Sequence, residues 1–214
     1  MKKTLTIVMA MVLVAAVAIT GTLAYMSTQS GTVTNTFTFG NMSITLKESP
    51  VDDNGKKVAG DLVDKNDYKV IPGAEVDKEP IVTVNANSES CWVYVGIQNN
   101  LFIENANKTT TEVADYTKYI GANWEKVEDA ALAAKHVTVY KYKTTVANSD
   151  TDTQLPAVFT NVKFDGEKIT LDNIDALQNS TIVIKAYAHQ SESLDSTFDV
   201  DAAAIAHFTT EFGA

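Results

Sequence analysis

The sequence predicts a mostly β protein, an antiparallel β-sandwich that ends in a helix. Three observations lead there. Beyond residue 31 much of the chain alternates apolar and polar residues with the period of a strand; clusters of Gly, Asn, Asp, Ser and Pro cut that alternation into short pieces; and the clearest helical spacing of apolar residues falls at 199–212.

The chain begins with Lys2 and Lys3 before a run, 5–19, that only Thr6 interrupts, followed by the small residues Thr22, Leu23 and Ala24. That order is an export signal, with the cut expected between Ala24 and Tyr25. The alternative is an uncleaved anchor, since 5–23 nearly has the length of a membrane span; Thr20, Gly21 and Thr22 weaken its far end and no basic cluster follows. Residues 1–24 are thus read as a signal peptide, 25–41 as an N-terminal segment and 42–214 as one β-sandwich domain.

Candidate strands occupy 32–39, 42–47, 81–85, 91–98, 136–143, 157–164, 168–171 and 181–189, a sandwich-sized set. Turn-forming stretches separate them at 50–57, 71–75, 85–90 and 147–153, and Asp165-Gly166 is expected to join two short strands as a tight hairpin. Residues 111–128 mix helix formers with Gly121 and irregularly spaced aromatics, which predicts a short helix or a covering loop. Asp199 is placed to cap a helix carrying Ile205, Phe208 and Phe212 on one face and stopping before Gly213.

Within the N-terminal segment, Val33, Phe37 and Phe39 hold odd positions, whereas Met42, Ile44 and Leu46 hold even ones. The apolar face changes parity at Gly40-Asn41, where positive φ is tolerated and a bulge or sharp change of direction fits. One reading keeps both halves in a single bulged strand. The other gives 42–47 to the domain and leaves 25–39 able to depart from it, with Gly40 and Asn41 as the hinge.

Charge and composition narrow the function. Removal of the signal leaves 15 lysines against 27 acidic residues, a balance of −12, and the chain contains no arginine. Nucleic acid and anionic lipid are therefore not expected partners, and membrane contact is expected only before cleavage. Cys91 is the single cysteine, so no internal disulfide can form, and its place in "CWVYVGIQ" predicts a small buried side chain beside Val93, Val95 and Ile97. His136, His189 and His207 belong to no metal-binding pair, and no serine or threonine sits in a nucleophile motif. We expect no catalytic residues, no metal site, no cofactor and no enzyme activity. "VDDNGKK" and "NSDTDT" space side-chain oxygens as a calcium loop would, yet neither completes the twelve-residue pattern; turn chemistry is the favoured account of both, with a weak calcium site in an acidic surface loop as the alternative. Neither a cysteine at the end of the signal nor a complete sortase pentapeptide in "LPAVF" (155–159) points to covalent anchoring.

The signal ending "GTLAYMST", the following "TNTFTFGNMSITLKE" and, downstream, "YKVIPGAEVDKEPIVTVNANSESCWVYVGIQ" resemble the TasA/camelysin family, exported proteins of Gram-positive bacteria that build biofilm matrix fibres. Met26 stands where that family usually has an aromatic, and the acidic residue that follows is missing. The resemblance implies a jelly-roll-like sandwich and cutting by a SipW-type signal peptidase. It also implies a homopolymer in which the N-terminal segment of one subunit adds a strand to the next, in contact with other matrix components. Val33, Phe37 and Phe39 would be the pocket-filling anchors of that donor strand, since a short alternating strand uses main-chain bonds for affinity and alternate side chains for fit. Two alternatives stand beside this: a monomeric surface adhesin using Trp92, Tyr94 or Trp124, against which those rings would simply cover core edges, and a camelysin-like metalloprotease, for which the sequence offers no ligand set.

Overall fold

The computed structural model describes residues 41–104, 108–177, 179–192 and 197–213. The signal at 1–24, the Ala24–Tyr25 cut, the strand at 32–39 with Val33, Phe37 and Phe39, and Gly40 lie outside them.

The longest apolar alternation of the chain makes its central strand. Residues Cys91–Asn99 form β4, flanked by Ile182–Gln190 (β12) on one side and Val137–Tyr142 (β9) on the other, with Trp124–Val127 (β8) at the far edge of this four-stranded antiparallel sheet. Cys91, Val93, Val95 and Ile97 share the inner face and are fully buried, as the sequence predicts. Two three-stranded sheets complete the main core. Ile44–Glu48 (β1), Pro80–Val84 (β3) and Thr153–Gln154 (β10) form one; Glu75–Asp77 (β2), Asn161–Phe164 (β11) and Ala114–Asp115 (β7) form the other. Val82 and Val84 from the first, and Val76, Val162 and Phe164 from the second, pack with the inner face of β4. A two-stranded ribbon of Phe102–Glu104 (β5) and Thr110–Glu112 (β6) lies outside these sheets. The molecule is mostly β, antiparallel and sandwich-like.

β4 is buried on its outer face too, because a helix covers it. After a short helix at Ala130–Ala133 (α1), capped by Asp129, the second helix runs over Val200–Glu211 (α2). Asp199 caps it as expected, accepting from the N–H groups of Asp201 (2.9 Å) and Ala202 (3.0 Å), a motif that contributes about 1 kcal/mol. Ala204, Phe208 and Phe212 face inward and join Tyr94, Val137, Val139 and Leu132 in a second core, with Ile205 at its margin. Gly96 is the residue of β4 beneath them. Sheet, sheet and helix thus give the layered arrangement that buries each apolar face once.

Two expectations are corrected. No strand forms at 168–171 and Asp165-Gly166 makes no hairpin. The Asp165 side chain instead takes the N–H groups of Glu167 (3.0 Å) and Lys168 (3.2 Å), and its carbonyl accepts from Ile169, so the donors a returning strand would offer are already used. Gly166 is needed for a different reason: a β-carbon there would stand 2.9 Å from the backbone nitrogen of Gly73. In 157–164 only Asn161–Phe164 is strand, while Val158 and Phe159 enter the core from irregular backbone. Residues 111–128 hold the short helix expected there, a 3₁₀ turn at Thr117–Tyr119, between the end of β6 and β7 on one side and β8 on the other, and β8 carries the buried Trp124 into the sheet edge.

Candidate functional site

β1 and β12 are the outer strands of their sheets, and among the described residues each has a strand partner on one side only. They run beside one another, with Cα atoms within 8 Å, yet no ladder joins them. Among the described residues this seam is closed by side chains alone: Ile44 and Leu46 from β1 and Ile182, Ile184 and Ala186 from β12, all half-buried against the main core.

The direction of the backbone groups along β1 is set by its neighbours. Ser43 O accepts from Asn85 N and Ser49 N donates to Glu79 O, so the odd residues bond toward β3. Glu48 bonds the other way, exchanging both its main-chain bonds with Val63 at 2.8 Å. By the two-residue period of a strand, Ile44 and Leu46 therefore present their N–H and C=O groups at the outer edge. Beyond Glu48 the loop 66–70 takes over as the wall of the seam.

There the seam opens into a cavity of about 760 Å³. Its floor is apolar, with Val76, Leu101, Val162, Phe164, Leu177 and Ile182, and its rim is polar. Glu48 organises one wall. Its carboxylate receives the ammonium of Lys78 and the amide of Asn66 (3.1 Å), and the Tyr68 hydroxyl lies 3.4 Å from the same oxygen and 3.2 Å from the carbonyl of Asp77. The Lys78 residue is only 8% exposed, and its ammonium lies 5.1 Å from the centre of the Tyr68 ring. Burial, reinforced by the charge of Glu48, pushes the Tyr68 phenol far above its ordinary value, so it stays protonated and able to donate.

The opposite end of the seam holds the chain as it leaves for the N-terminal segment. Asn41, exposed and outside any strand, accepts from Glu89 N (2.9 Å); Ser43 N donates to the Ser88 hydroxyl (3.2 Å), whose single hydrogen is shared between the carbonyls of Asn85 (2.6 Å) and Ser43 (3.1 Å). The end of β12 is fastened at the same pole, where Ser191 N donates to Ser90 O (2.7 Å). Departure and cavity are thus at opposite poles of the seam.

The residues weighed for other functions have packing roles. Tyr94 and Trp124 are buried, and Trp92 is half-buried with the ammonium of Lys141 4.2 Å from the centre of its ring. His136 stacks on Phe102 (4.5 Å), His189 on Phe198 (4.9 Å) and His207 on Tyr187 (4.3 Å). Asp52 closes its own turn by accepting from Asn54 N (2.9 Å) and Lys56 N (2.8 Å), and Asp152 accepts from Ala86 N (2.8 Å). Among the described residues no three of His, Cys, Asp or Glu are grouped to hold a metal, and no helix is long and apolar enough to cross a membrane. Burial raises the Cys91 thiol pKa, which makes it a poor nucleophile.

Sequence reading located β1 and β12 but not the cavity or the Glu48–Lys78 pair. A lysine two residues before a proline signals only a strand start; that it is buried depends on a glutamate from another strand. No family model, no curated protein and no solved structure matches the chain.

Proposed function

We propose that the mature chain is a secreted, non-catalytic structural subunit that assembles into extracellular fibres, segment 25–39 of one copy adding a strand to the next. The observation that carries this is an edge left open among the described residues beside a matching segment: the outward backbone groups of Ile44 and Leu46 on one side, and an alternating stretch directly upstream on the other. Residues 25–39 contain no charged side chain in a chain that is 21% charged, which suits a strand meant to be covered. The resemblance of 22–48 to the TasA/camelysin pattern supports the same reading, with a SipW-type peptidase releasing the segment at Ala24–Tyr25 and other matrix components as further partners. A strand needs about 9.5 Å between its two neighbours, so the seam must widen to admit it.

The test is deletion of 25–39 from the mature protein, followed by electron microscopy and a thermal melt. The truncated chain is expected to stay folded and to form no fibres, and added peptide 31–41 to bind it. Loss of the fold would mean that the segment completes its own domain. Fibres that persist in Phe37→Asp with Phe39→Asp would remove the donor-strand model, a mature protein that stays monomeric would leave a surface adhesin as the better reading, and chelator-sensitive proteolysis by the purified protein would favour the metalloprotease.

A further inference from the structure

The two poles of the seam differ in chemistry, and the difference selects one way of joining copies. The departure pole is polar: Asn85, Asn87, Ser88, Ser90, Asn148 and Asp152 surround the latch at Asn41 and Ser43. The far pole is the apolar-floored cavity. Two routes are open to segment 25–39. Folding back through Gly40-Asn41 onto its own β1 would run it antiparallel to β1, leaving Phe37 and Phe39 among the polar loops and sending the Ser, Thr and Gln residues of 27–32 toward the cavity. Entering a second copy from that copy's cavity pole does the reverse. The residues nearest the donor's own body, Phe37 and Phe39, then meet the cavity, and Val33 and the uncharged residues before it continue along the seam.

Exposed apolar side chains mark the surfaces that such a joint would cover. Met42 is 39% exposed beside the latch at the departure pole. Ile71 is 54% and Leu171 91% exposed at the far pole, where each lies within three residues of a cavity-lining side chain, Val70 and Ile174. Head-to-tail contact brings Met42 of one copy toward Ile71 and Leu171 of the next. At about 760 Å³ the cavity has the capacity of an ordinary ligand pocket, about 300–1,000 Å³, enough for two phenyl rings.

We infer that this cavity is the socket for Phe37 and Phe39 of a second copy, whose segment runs antiparallel to the β12 it joins and parallel to β1. The inference rests on the strand-exchange reading above and adds to it the receiving site, the orientation and the head-to-tail joint. Such a joint is heterologous, so it leaves one free segment and one empty socket at the two ends of every assembly and permits open growth.

Variants that separate giving from receiving test it. Phe37→Asp with Phe39→Asp makes a copy that can receive but not give, because two charges cannot enter an apolar socket. Ile174→Trp fills the socket and makes a copy that can give but not receive. Neither alone should polymerise, while an equimolar mixture should yield one-to-one dimers by light scattering. Leu171→Asp, at a residue too exposed to affect folding, should weaken association by at least about tenfold. Orientation is read by Phe39→Cys with Ile174→Cys in a Cys91→Ala background, which should give a ladder of disulfide-linked multimers on mild oxidation. Mature protein that forms no polymer at all would remove the strand-exchange reading itself. Normal fibres from both Ile174→Trp and Leu171→Asp would leave strand exchange standing and overturn the socket. A cross-link within one chain would overturn it as well, by showing that the segment folds back on its own domain.

Discussion

Gly96 on β4 lies so close to Phe208 on α2 that a β-carbon at residue 96 would stand 2.7 Å from the phenyl ring, and equally close to that of Phe212. The helix therefore seats on the sheet only because one strand position has no side chain. Gly96→Ala should lift or tilt α2 and cost about 1–3 kcal/mol, as overpacking does. A lowered thermal midpoint would accompany it, and Phe208→Leu in the same chain should recover part of the loss. An unchanged midpoint would mean that the helix docks with slack.

The docked helix is also tied electrostatically. Asp201 accepts from the Tyr94 hydroxyl (2.6 Å) and from Lys141 (2.8 Å). Burial raises the Asp201 pKa, but the hydrogen bonds from Lys141 and Tyr94 outweigh it and the carboxyl titrates below its ordinary value. A depressed carboxylate contributes stability that is present above its unfolded pKa and is lost as pH falls through the folded one. Thermal stability should therefore drop on acidification below about pH 4, and Asp201→Asn should flatten part of that drop while lowering stability at neutral pH by no more than about 1 kcal/mol, given the exposure of the Asp201 carboxylate. Mild acid or salt acts in the opposite sense on assembly, by reducing repulsion among the acidic subunits. Assembly is then expected to be fastest just above the pH at which α2 loosens.

Glu48 joins three elements at one carboxylate, and Lys78 has little access to water once it is gone. Glu48→Ala should cost about 3–5 kcal/mol by leaving a buried ammonium unpaired, whereas Glu48→Ala with Lys78→Met should recover most of it. Chemical denaturation of the two variants compares them directly. Equal loss in both would place the cost in the Asn66 and Tyr68 contacts instead.

Local chemistry was readable from the sequence and distant geometry was not. Asp199 announces α2 because a cap and the residues it caps are neighbours, and "CWVYVGIQ" announces β4 because its alternation survives burial on both faces. Asp165-Gly166 misleads because the same two residues serve an aspartate that closes its own turn and one that opens a hairpin. β2, β7 and β10 are two or three residues long, too short for a period of two to show. The cavity could not be read at all, since Tyr68, Lys78, Leu177 and Ile182 converge only after three sheets have formed.

The latch at Asn41 and Ser43 has a mechanical consequence. It hands the departing chain to β1, and β1 lies in register with β3 from Ile44 opposite Val84 to Glu48 opposite Pro80. Tension drawn along the strands from that pole acts in shear, so all the bonds between β1 and β3 bear it together instead of parting one after another from an end. A polymer loaded along the seam would then yield by sliding whole strands, and its resistance to stretching would exceed its resistance to being peeled sideways.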